Sequence, residues 1–476
     1  MAAPDCAQIT RFLAARAVDV MCFHSDDLRT NNPETTPGNN SITTFADGSP
    51  LPGLAAGFGS FTPITDRGVI SNAPAPTTTP VPGVQVEGWL ADDPEGQARF
   101  VLRFPDDWNG NLVVAGASGT RSEYNGDWAW SDYVLPKGYA YASQNKGVLN
   151  FYLPPQQAAD PLACRLNPVS TTWVHFYDND PQKPFTQWTQ YMIETAALAQ
   201  DVVKAAYKHR PSRTYAVGTS NGGYQVRRAI EEAPNLFDGG VDWEGTYIDP
   251  RENILIDLPQ ALENFPAYVA SGYDPNSQAA KNIVAAGYPP DIVRATPTGP
   301  DSLWGRYWTQ FWEVTACQWQ KRFDPAYDTY GAGLENYDYL ARLGVPGVFD
   351  SVAAVETTGK IKKPLITVAG TMDALLPIRH QARAYEAAVD ASRKGNNDKR
   401  NAQYRLYEVQ NGNHIEAYVP DFPQLQLIQP HAQKAFDLLV AHVEGKAPLP
   451  PSQCIPVGGT IAASPSQPGH CANLLQ

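Results

Sequence analysis

One serine lies in a sequence context that would expose its hydroxyl for nucleophilic attack. The stretch Gly218-Thr-Ser-Asn-Gly222 fits the pattern G-x-S-x-G, with a short β-rich segment (residues 214–217) before it and a helical pattern after it. The glycines allow a sharp strand-to-helix turn, and the helix N-terminus favours negative charge developing beside the serine. The pattern predicts that Ser220 is a nucleophile on such a turn. An ordinary glycine-rich turn with an incidental serine is the alternative.

An acid occurs just after a later strand pattern. Residues 365–369 read as a buried strand, and Asp373 follows in the next loop. An acid at that position can hold the Nδ1–H group of a catalytic histidine. We therefore predict Asp373 as the acid of a triad. Glu244, which follows an earlier strand pattern at residues 237–243, is the competing candidate.

A histidine follows the next strand pattern along the chain. Residues 402–408 read as a strand that opens into a loop rich in Gly and Asn, and this loop carries His414. A histidine placed there can accept the serine proton, whereas a surface loop histidine is the alternative. The order Ser220, Asp373, His414 is the order found in α/β hydrolases. Two other histidines, His380 and His431, are interpreted as structural.

A loop of small residues follows an earlier strand pattern and could supply an oxyanion hole. Residues 112–115 run into Gly116-Ala-Ser-Gly-Thr-Arg121. In this architecture one oxyanion donor is the N–H of the residue after the nucleophile, here Asn221, and the other comes from such a loop. Ala117 and Ser118 are the candidates for the second donor. A plain tight turn is the alternative interpretation.

The elements around these residues predict an α/β-hydrolase fold. Strand patterns alternate with helical ones, and a long helix is expected over residues 184–209. This alternation is typical of a mostly parallel sheet with helices on both faces. About 100 residues separate two late strands, too many for a plain connection, which predicts an inserted lid. The predicted division is an N-terminal arm (1–83), a first core part (84–248), a helical lid (249–350), and a second core part with the C-terminal tail (351–476).

An aromatic set lies in the predicted lid. Trp304, Trp308 and Trp312, together with Phe311, fall on one side of a helix. We interpret most of these rings as the core of the lid itself. The functional alternative is that some of them, Trp308 and Trp312 first, line a substrate pocket.

Charge and composition exclude several classes of partner. The chain of 476 residues has 36 basic and 49 acidic side chains and a net charge of −13, with no basic block. Nucleic acid and anionic membrane are therefore not expected partners. No run of 18 apolar residues occurs, so no membrane span is expected. No Cys/His cluster has zinc spacing, and neither metal nor cofactor is predicted.

Six dispersed cysteines suit three disulfides in an oxidising compartment. We expect the two terminal sets to pair locally, and the remaining two cysteines to pair with each other. The expected pairs are Cys6–Cys22, Cys454–Cys471 and Cys164–Cys317. Six buried thiols are the alternative. The start of the chain has no signal-peptide pattern and reads as a mature end, which predicts a secreted or periplasmic protein.

Several motifs give the chain a resemblance to the D-3-hydroxybutyrate oligomer hydrolases. Examples are Ala117-Ser-Gly-Thr-Arg121 and Ser220-Asn-Gly-Gly223. The matching stretches are residues 117–121, 138–147, 220–223, 414–418 and 448–453. The resemblance implies that Ser220 is the catalytic serine and that the substrate is a short hydroxyacid ester oligomer, such as one released from a polyester. The assignment of Asp373 and His414 to the triad is based on their positions in the predicted fold.

Two further stretches, residues 108–110 and 237–240, are similar to the tannase and feruloyl esterase family. That family usually joins the neighbours of its catalytic serine and histidine by a disulfide, whereas Thr219 and Asn413 stand there in this chain. Because this disulfide is missing, aryl or feruloyl esters are the second choice of substrate. We predict a serine carboxylic-ester hydrolase that works through an acyl-enzyme. A non-catalytic binding protein with the same fold is the alternative from another class.

Overall fold

The computed structural model describes thirteen stretches of the chain. They are residues 4–30, 32–36, 79–93, 98–119, 123–124, 126–147, 151–153, 163–171, 173–175, 185–327, 334, 336–394 and 403–476. Residues 37–78, which make up much of the predicted N-terminal arm, lie outside the described part.

The strands of the described residues form one large sheet and two small ones. In chain order they are β1 (Ala17–Ser25), β2 (Gly83–Leu90), β3 (Arg99–Pro105), β4 (Asn111–Gly116), β5 (Ala140–Gln144), β6 (Phe151–Leu153), β7 (Ala163–Arg165), β8 (Trp173–His175), β9 (Arg213–Thr219), β10 (Gly239–Trp243), β11 (Val293–Thr296), β12 (Gly299–Ser302), β13 (Leu365–Gly370), β14 (Tyr404–Val409) and β15 (Gln453–Ile455). The large sheet has the order β1-β2-β3-β5-β4-β9-β10-β13-β14-β15.

The large sheet is parallel over most of its width. From β5 to β15 every neighbouring pair runs parallel, and β1, β2, β3 and β5 pair antiparallel at the other end. The carboxyl ends of β9, β10 and β13 therefore lie side by side at one edge, where loops from different strands can place their side chains together.

The helices occur mainly between the parallel strands. They are α1 (Cys6–Leu13), α2 (Asp132–Val134), α3 (Thr186–Tyr207), α4 (Asn221–Glu232), α5 (Ile254–Ala270), α6 (Gln278–Ala285), α7 (Leu303–Tyr307), α8 (Glu313–Phe323), α9 (Tyr339–Arg342), α10 (Val348–Ala353), α11 (Ala382–Lys394) and α12 (Gln429–Val443). A π-helical turn, Trp308–Trp312, joins α7 to α8.

Helices cover both faces of the large sheet. On one face Leu112 and Val114 of β4 pack in an apolar cluster with α3, α4 and α11. On the other face Val113 and Ala115 of the same strand pack with α12. Because successive side chains of a strand point to opposite faces, a central strand needs an unbroken apolar run, and β4 has one.

A third apolar cluster is built mainly from the segment that connects β10 to β13 in the sequence. It is formed largely by α5 to α10 and includes the buried rings of Phe265, Trp304, Trp312 and Trp319. This region corresponds in sequence to the predicted lid, and its helices bury their aromatic side chains mainly against one another.

Most predicted elements are present with small changes at their ends, and two are corrected. The sequence pattern near residues 9–20 predicts a short helix, but the helix ends at Leu13, because Ala17–Ser25 forms β1 and pairs antiparallel with β2. The sequence also predicts the strand at residues 402–408 as the last one, which is wrong. Gln453–Ile455 adds β15 beside it, a strand too short to give a periodic signal in the sequence.

The three expected disulfides are confirmed. Cys6 bonds to Cys22, Cys164 to Cys317, and Cys454 to Cys471. The second pair links β7 to α8 across 153 residues of sequence. Within the described stretches, no helix is both long and apolar enough to cross a membrane.

Candidate active site

Ser220 lies on a strained turn between β9 and α4. Its backbone has φ 58° and ψ −121°, a region that side chains with a Cβ atom rarely occupy. The close approach of the turn requires glycine, since a Cβ atom on Gly218 would lie 2.3 Å from the carbonyl oxygen of Gly222. The Ser220 N–H group donates to the carbonyl oxygen of Trp243 at 2.8 Å, which attaches the turn to β10. The structure therefore has the turn predicted from the sequence.

His414 reaches this serine from the loop after β14. Its Nε2 atom lies 3.1 Å from Ser220 Oγ, and its side chain is buried. The loop is held by Tyr307 of α7, whose hydroxyl donates to Asn413 Oδ1 at 2.9 Å and accepts the N–H of Ile415 at 3.2 Å. The position of His414 is thus set both by β14, which precedes its loop, and by Tyr307 of α7, which contacts the loop.

Asp373 contacts the other ring nitrogen of His414. Its Oδ2 atom lies 2.7 Å from Nδ1. Its Oδ1 atom accepts the backbone N–H groups of Leu375 and Leu376 at 2.8 and 2.7 Å. These two N–H groups hold the carboxyl group in place, so that its other oxygen can accept the Nδ1–H of the histidine.

Glu244 lies at the same ring nitrogen. Its Oε2 atom is also 2.7 Å from His414 Nδ1, and its Oε1 atom accepts the indole N–H of Trp243 at 2.9 Å. Glu244 has φ 53°, an uncommon value for a residue with a side chain. Of the two acids between which the sequence left a choice, the structure brings both to the histidine.

The charges of this cluster depend on one another. Burial raises the pKa of the Glu244 carboxyl, His414 lowers it, and Asp373 raises it. For His414, burial alone would lower the pKa, but the two acids outweigh burial and the pKa is raised. The buried pair of carboxyl groups therefore stabilises the imidazolium form of the histidine.

The same three side chains are a donor set that a metal ion could use, since their ligand atoms lie within 4.8 Å of one another. Their other contacts fit hydrogen bonding better. His414 Nδ1 is in direct hydrogen-bond contact with Asp373 Oδ2 at 2.7 Å, and its second nitrogen faces Ser220. No metal is assigned to the site.

The loop after β4 lies against the start of α4. The N–H of Ala117 donates to Gln225 Oε1 at 2.9 Å, so this N–H is occupied and the structure disfavours Ala117 as an oxyanion donor. Buried Lys146 donates to the carbonyl oxygen of Ala117 at 2.8 Å and also to that of Gly119. Because the C=O and N–H of a trans peptide point in opposite directions, Lys146 directs the Ser118 N–H away from itself.

Asn221 begins helix α4, whose first-turn N–H groups have no partner within the helix. Its side chain accepts a hydrogen bond from Thr246 Oγ1 at 2.9 Å and donates to the carbonyl oxygen of Gly119 at 3.4 Å. Asn221 thus connects the turn at Ser220 to the loop after β4. The oxyanion roles of Asn221 and Ser118 stay predictions.

The two predicted pocket tryptophans have different surroundings. Trp312 is fully buried and its indole N–H donates to the carbonyl oxygen of Ala374 at 2.7 Å. Trp308 is half-buried, stacks on Phe265 with ring centroids 5.6 Å apart, and lines an open cavity of about 690 Å³. The structure therefore places Trp312 in the core, and only Trp308 next to open space.

Three contributors to the site were missed from the sequence. Lys146 belongs to one of the motif stretches, and Tyr307 lies among the aromatic residues of the predicted lid, but neither pattern indicated its contact. Gln225 gave no signal, since a polar residue in the first turns of a helix is ordinary. Their contacts depend on which loops meet at the edge of the sheet.

The matches with known proteins concern a part of the chain in sequence and most of the chain in fold. A family model described as 3HB-oligomer hydrolase (3HBOH) matches residues 341–472. The D-(-)-3-hydroxybutyrate oligomer hydrolases of Burkholderia thailandensis and Burkholderia mallei are each 37% identical over 127 residues. The matched segment spans 25% of this chain and 18% of the length of each relative.

The crystal structure of feruloyl esterase B from Aspergillus oryzae superposes with a TM-score of 0.51 at 12% sequence identity, covering 93% of this chain and 90% of that chain. At this identity the match concerns the fold. The chain therefore has the α/β-hydrolase fold predicted from its sequence, and its residues 341–472 are similar to the 3HB-oligomer hydrolases.

Proposed function

We propose that this chain is a serine carboxylic-ester hydrolase with Ser220 as nucleophile, His414 as general base and Asp373 as orienting acid. The observation that carries the proposal is the continuous chain of contacts from Ser220 Oγ to His414 Nε2 at 3.1 Å and from Nδ1 to Asp373 Oδ2 at 2.7 Å. This is the relation that activates a serine hydroxyl. A binding protein with this fold would have no need of it.

In the proposed reaction Ser220 Oγ attacks the ester carbonyl carbon while its proton passes to His414 Nε2. Asp373 holds the ring orientation and stabilises the imidazolium. The N–H groups of Asn221 and Ser118 bind the oxyanion. His414 then protonates the leaving alcohol, and a water molecule, activated by the same histidine, releases the acid from Ser220.

The proposed substrates are short hydroxyacid oligomer esters of the 3-hydroxybutyrate type. The support is the match of residues 341–472 to the family model described as 3HB-oligomer hydrolase, together with 37% identity over 127 residues to a protein named as a hydrolase of such oligomers. That segment contains Asp373 and His414. Ser220 lies outside the residues that the family model matches, so that part of the support concerns the acid and histidine loops.

Aryl or feruloyl esters are the second candidate. The observation in their favour is Trp308, a half-buried ring that lines an open cavity together with Phe265 and Tyr273. Aromatic rings of this kind can stack on a phenolic group. The two candidates share the triad and differ only in what the helical region binds.

We also propose that residues 249–350 act as a lid over the site, between the two core parts of the chain and after an N-terminal arm. The contact of Tyr307 with the histidine loop supports a lid in this place. The three disulfides support a secreted or periplasmic location, where thiols are oxidised.

The test is product formation from soluble 3-hydroxybutyrate trimer, with methyl ferulate in parallel, for the wild type and Ser220→Ala. Trimer cleavage that is lost in the variant supports both the nucleophile and the oligomer substrate. Cleavage of ferulate alone keeps the mechanism and moves the substrate to phenolic esters. Turnover of neither ester, or turnover unchanged in Ser220→Ala, contradicts the proposal.

A further inference from the structure

Glu244 lies between the strand that carries the serine and the strand that leads to Asp373. In the sheet, Trp243 at the end of β10 is the direct neighbour of Thr219 in β9 and of Val368 in β13. Glu244 is the next residue, and its N–H donates to the carbonyl oxygen of Val368 at 2.8 Å. Its backbone is therefore fixed at the centre of the catalytic edge.

The side chain of Glu244 is directed into the site at a cost in backbone strain. For a residue with a Cβ atom, a backbone at φ 53° costs of order 1–3 kcal/mol of conformational free energy. Such a conformation persists only where the surrounding structure holds it. The carboxyl group is 1% exposed, and its two oxygens are used differently, one by the Trp243 indole and one at His414. A surface acid that met the histidine by chance would have neither feature.

The two acids do not have equivalent positions around Nδ1. Both oxygens lie 2.7 Å away, but only Asp373 Oδ2 has hydrogen-bond alignment with the ring nitrogen, and Glu244 Oε2 does not. A neutral imidazole has one Nδ1–H to donate. Asp373 therefore receives that proton, and Glu244 acts on the ring through its charge.

We propose that Glu244 is a second acid of the site, a positioning residue that stabilises the His414 imidazolium beside Asp373 and replaces Asp373 when that carboxylate is removed. The inference rests on the proposed hydrolase function. No proton leaves or enters through Glu244: the proton moves from Ser220 Oγ to His414 Nε2 and then to the leaving alcohol. The carboxylate only lowers the energy of the charged ring while it exists.

The groups that face Glu244 come from three separate elements. They are His414 from the loop after β14, Asp373 from the loop after β13, and the Tyr307 hydroxyl from α7. Among these His414 alone becomes cationic, so removing the Glu244 charge chiefly destabilises the imidazolium. The pKa of His414 then falls, and the acidic limb of the activity profile moves to lower pH, since the base must be neutral to accept the serine proton.

The experiment is a double-mutant cycle of wild type, Glu244→Gln, Asp373→Asn and the double variant. The readout is kcat/KM on p-nitrophenyl butyrate as a function of pH. Removing the sole acid of a triad lowers kcat by about 10⁴-fold. We expect Asp373→Asn to lose only about 10²-fold, and Glu244→Gln to lose less than about tenfold alone but about 10²-fold more in the Asp373→Asn background.

Equal effects of Glu244→Gln in both backgrounds, or an acidic limb that does not move, overturn the proposal. Glu252→Gln is the matched control, because Glu252 contacts the ring of another histidine, His380, and should leave the profile unchanged. Glu244→Asp keeps the charge, so in the Asp373→Asn background it should lose less activity than Glu244→Gln does. This conservative variant also serves if Glu244→Gln does not fold.

A second readout separates this inference from the proposed function. The titration of His414 can be followed by NMR on protein labelled at histidine Cε1, with His414→Gln to assign the signal among the eight histidines. A lower His414 pKa in Glu244→Gln supports the second acid even if no tested ester is cleaved. An unchanged His414 pKa contradicts it even if the protein is an active esterase.

Discussion

Ser220 Oγ and His414 Nε2 lie 3.1 Å apart although 194 residues separate them in the sequence. The serine comes from the turn after β9 and the histidine from the loop after β14, two strands that are separated in the sheet by β10 and β13. The contact is possible because parallel strands present their carboxyl ends at one edge, where the loops converge.

The first prediction concerns this pair. His414→Ala should lower kcat for any ester that the wild type cleaves by about 10⁴-fold or more, because the serine loses its proton acceptor. Adding Ser220→Ala should cost little more, since the two side chains act as a unit. The measurement is steady-state kinetics on the two single variants and the double variant. Losses that multiply would show that the residues act independently.

The second prediction concerns Lys146. Lys146→Met should lower kcat more than it changes KM, because the Ala117 carbonyl loses the lysine donor, the Gly119 carbonyl keeps only Asn221, and the oxyanion loop loses its orientation. Leaving a buried carbonyl without a partner also costs about 1–3 kcal/mol of stability.

The control for Lys146 is Lys137→Met, which removes a lysine from a partly exposed ion pair with Asp437. This variant should change neither kcat nor the free energy of unfolding by much. Kinetics and urea unfolding are measured on the same preparations. A kcat equal to that of the wild type, with only the stability reduced, would refute the role of Lys146 in shaping the loop.

The third prediction compares two tryptophans of one helical segment. Trp312→Ala should destabilise the protein by about 3–5 kcal/mol, because it leaves a cavity in a packed core. Trp308→Ala should cost less stability, since that ring is less completely buried than Trp312, and should raise KM if the open cavity holds part of the substrate. Urea unfolding and ester kinetics on both variants test this. Equal losses of stability would contradict the assignment of Trp308 to a surface cavity.

The fourth prediction concerns stability at acid pH. Burial lowers the pKa of His431 to about 4, from 6.5 in the unfolded chain. The folded protein therefore favours the neutral ring, and the resulting stability is complete above pH 6.5 and is lost as the pH falls towards about 4. A shift of this size corresponds to about 3 kcal/mol, and partial exposure of the ring reduces the expected contribution to about 1–2 kcal/mol.

The measurement for His431 is the free energy of unfolding at pH 7 and pH 4.5. His431→Gln should lose less stability between these values than the wild type, and His442→Gln, on the same helix, should keep the wild-type dependence. If the two variants and the wild type lose the same free energy of unfolding between pH 7 and pH 4.5, His431 does not contribute to the acid sensitivity of the protein.

The sequence determined the local chemistry of the chain. The glycines around Ser220 dictate the sharp turn because no Cβ atom fits there, and the alternation of strand and helix patterns determined the parallel sheet. The closeness of the cysteines at each end of the chain favoured two local pairs, which left Cys164 for Cys317, and the structure confirms all three disulfides. These features depend on composition or on residues that are close in the sequence, and both can be read directly from the sequence.

Only the tertiary structure decided which distant groups meet. The sequence offered Asp373 or Glu244 as the acid, whereas the packing of β10 beside β13 brings both to one nitrogen of His414. Likewise Ala117 was a sound candidate for the oxyanion hole until Gln225, on a helix 108 residues further along the chain, occupied its N–H. Such contacts depend on the register and packing of separate strands and helices, and no periodicity within one segment contains that information.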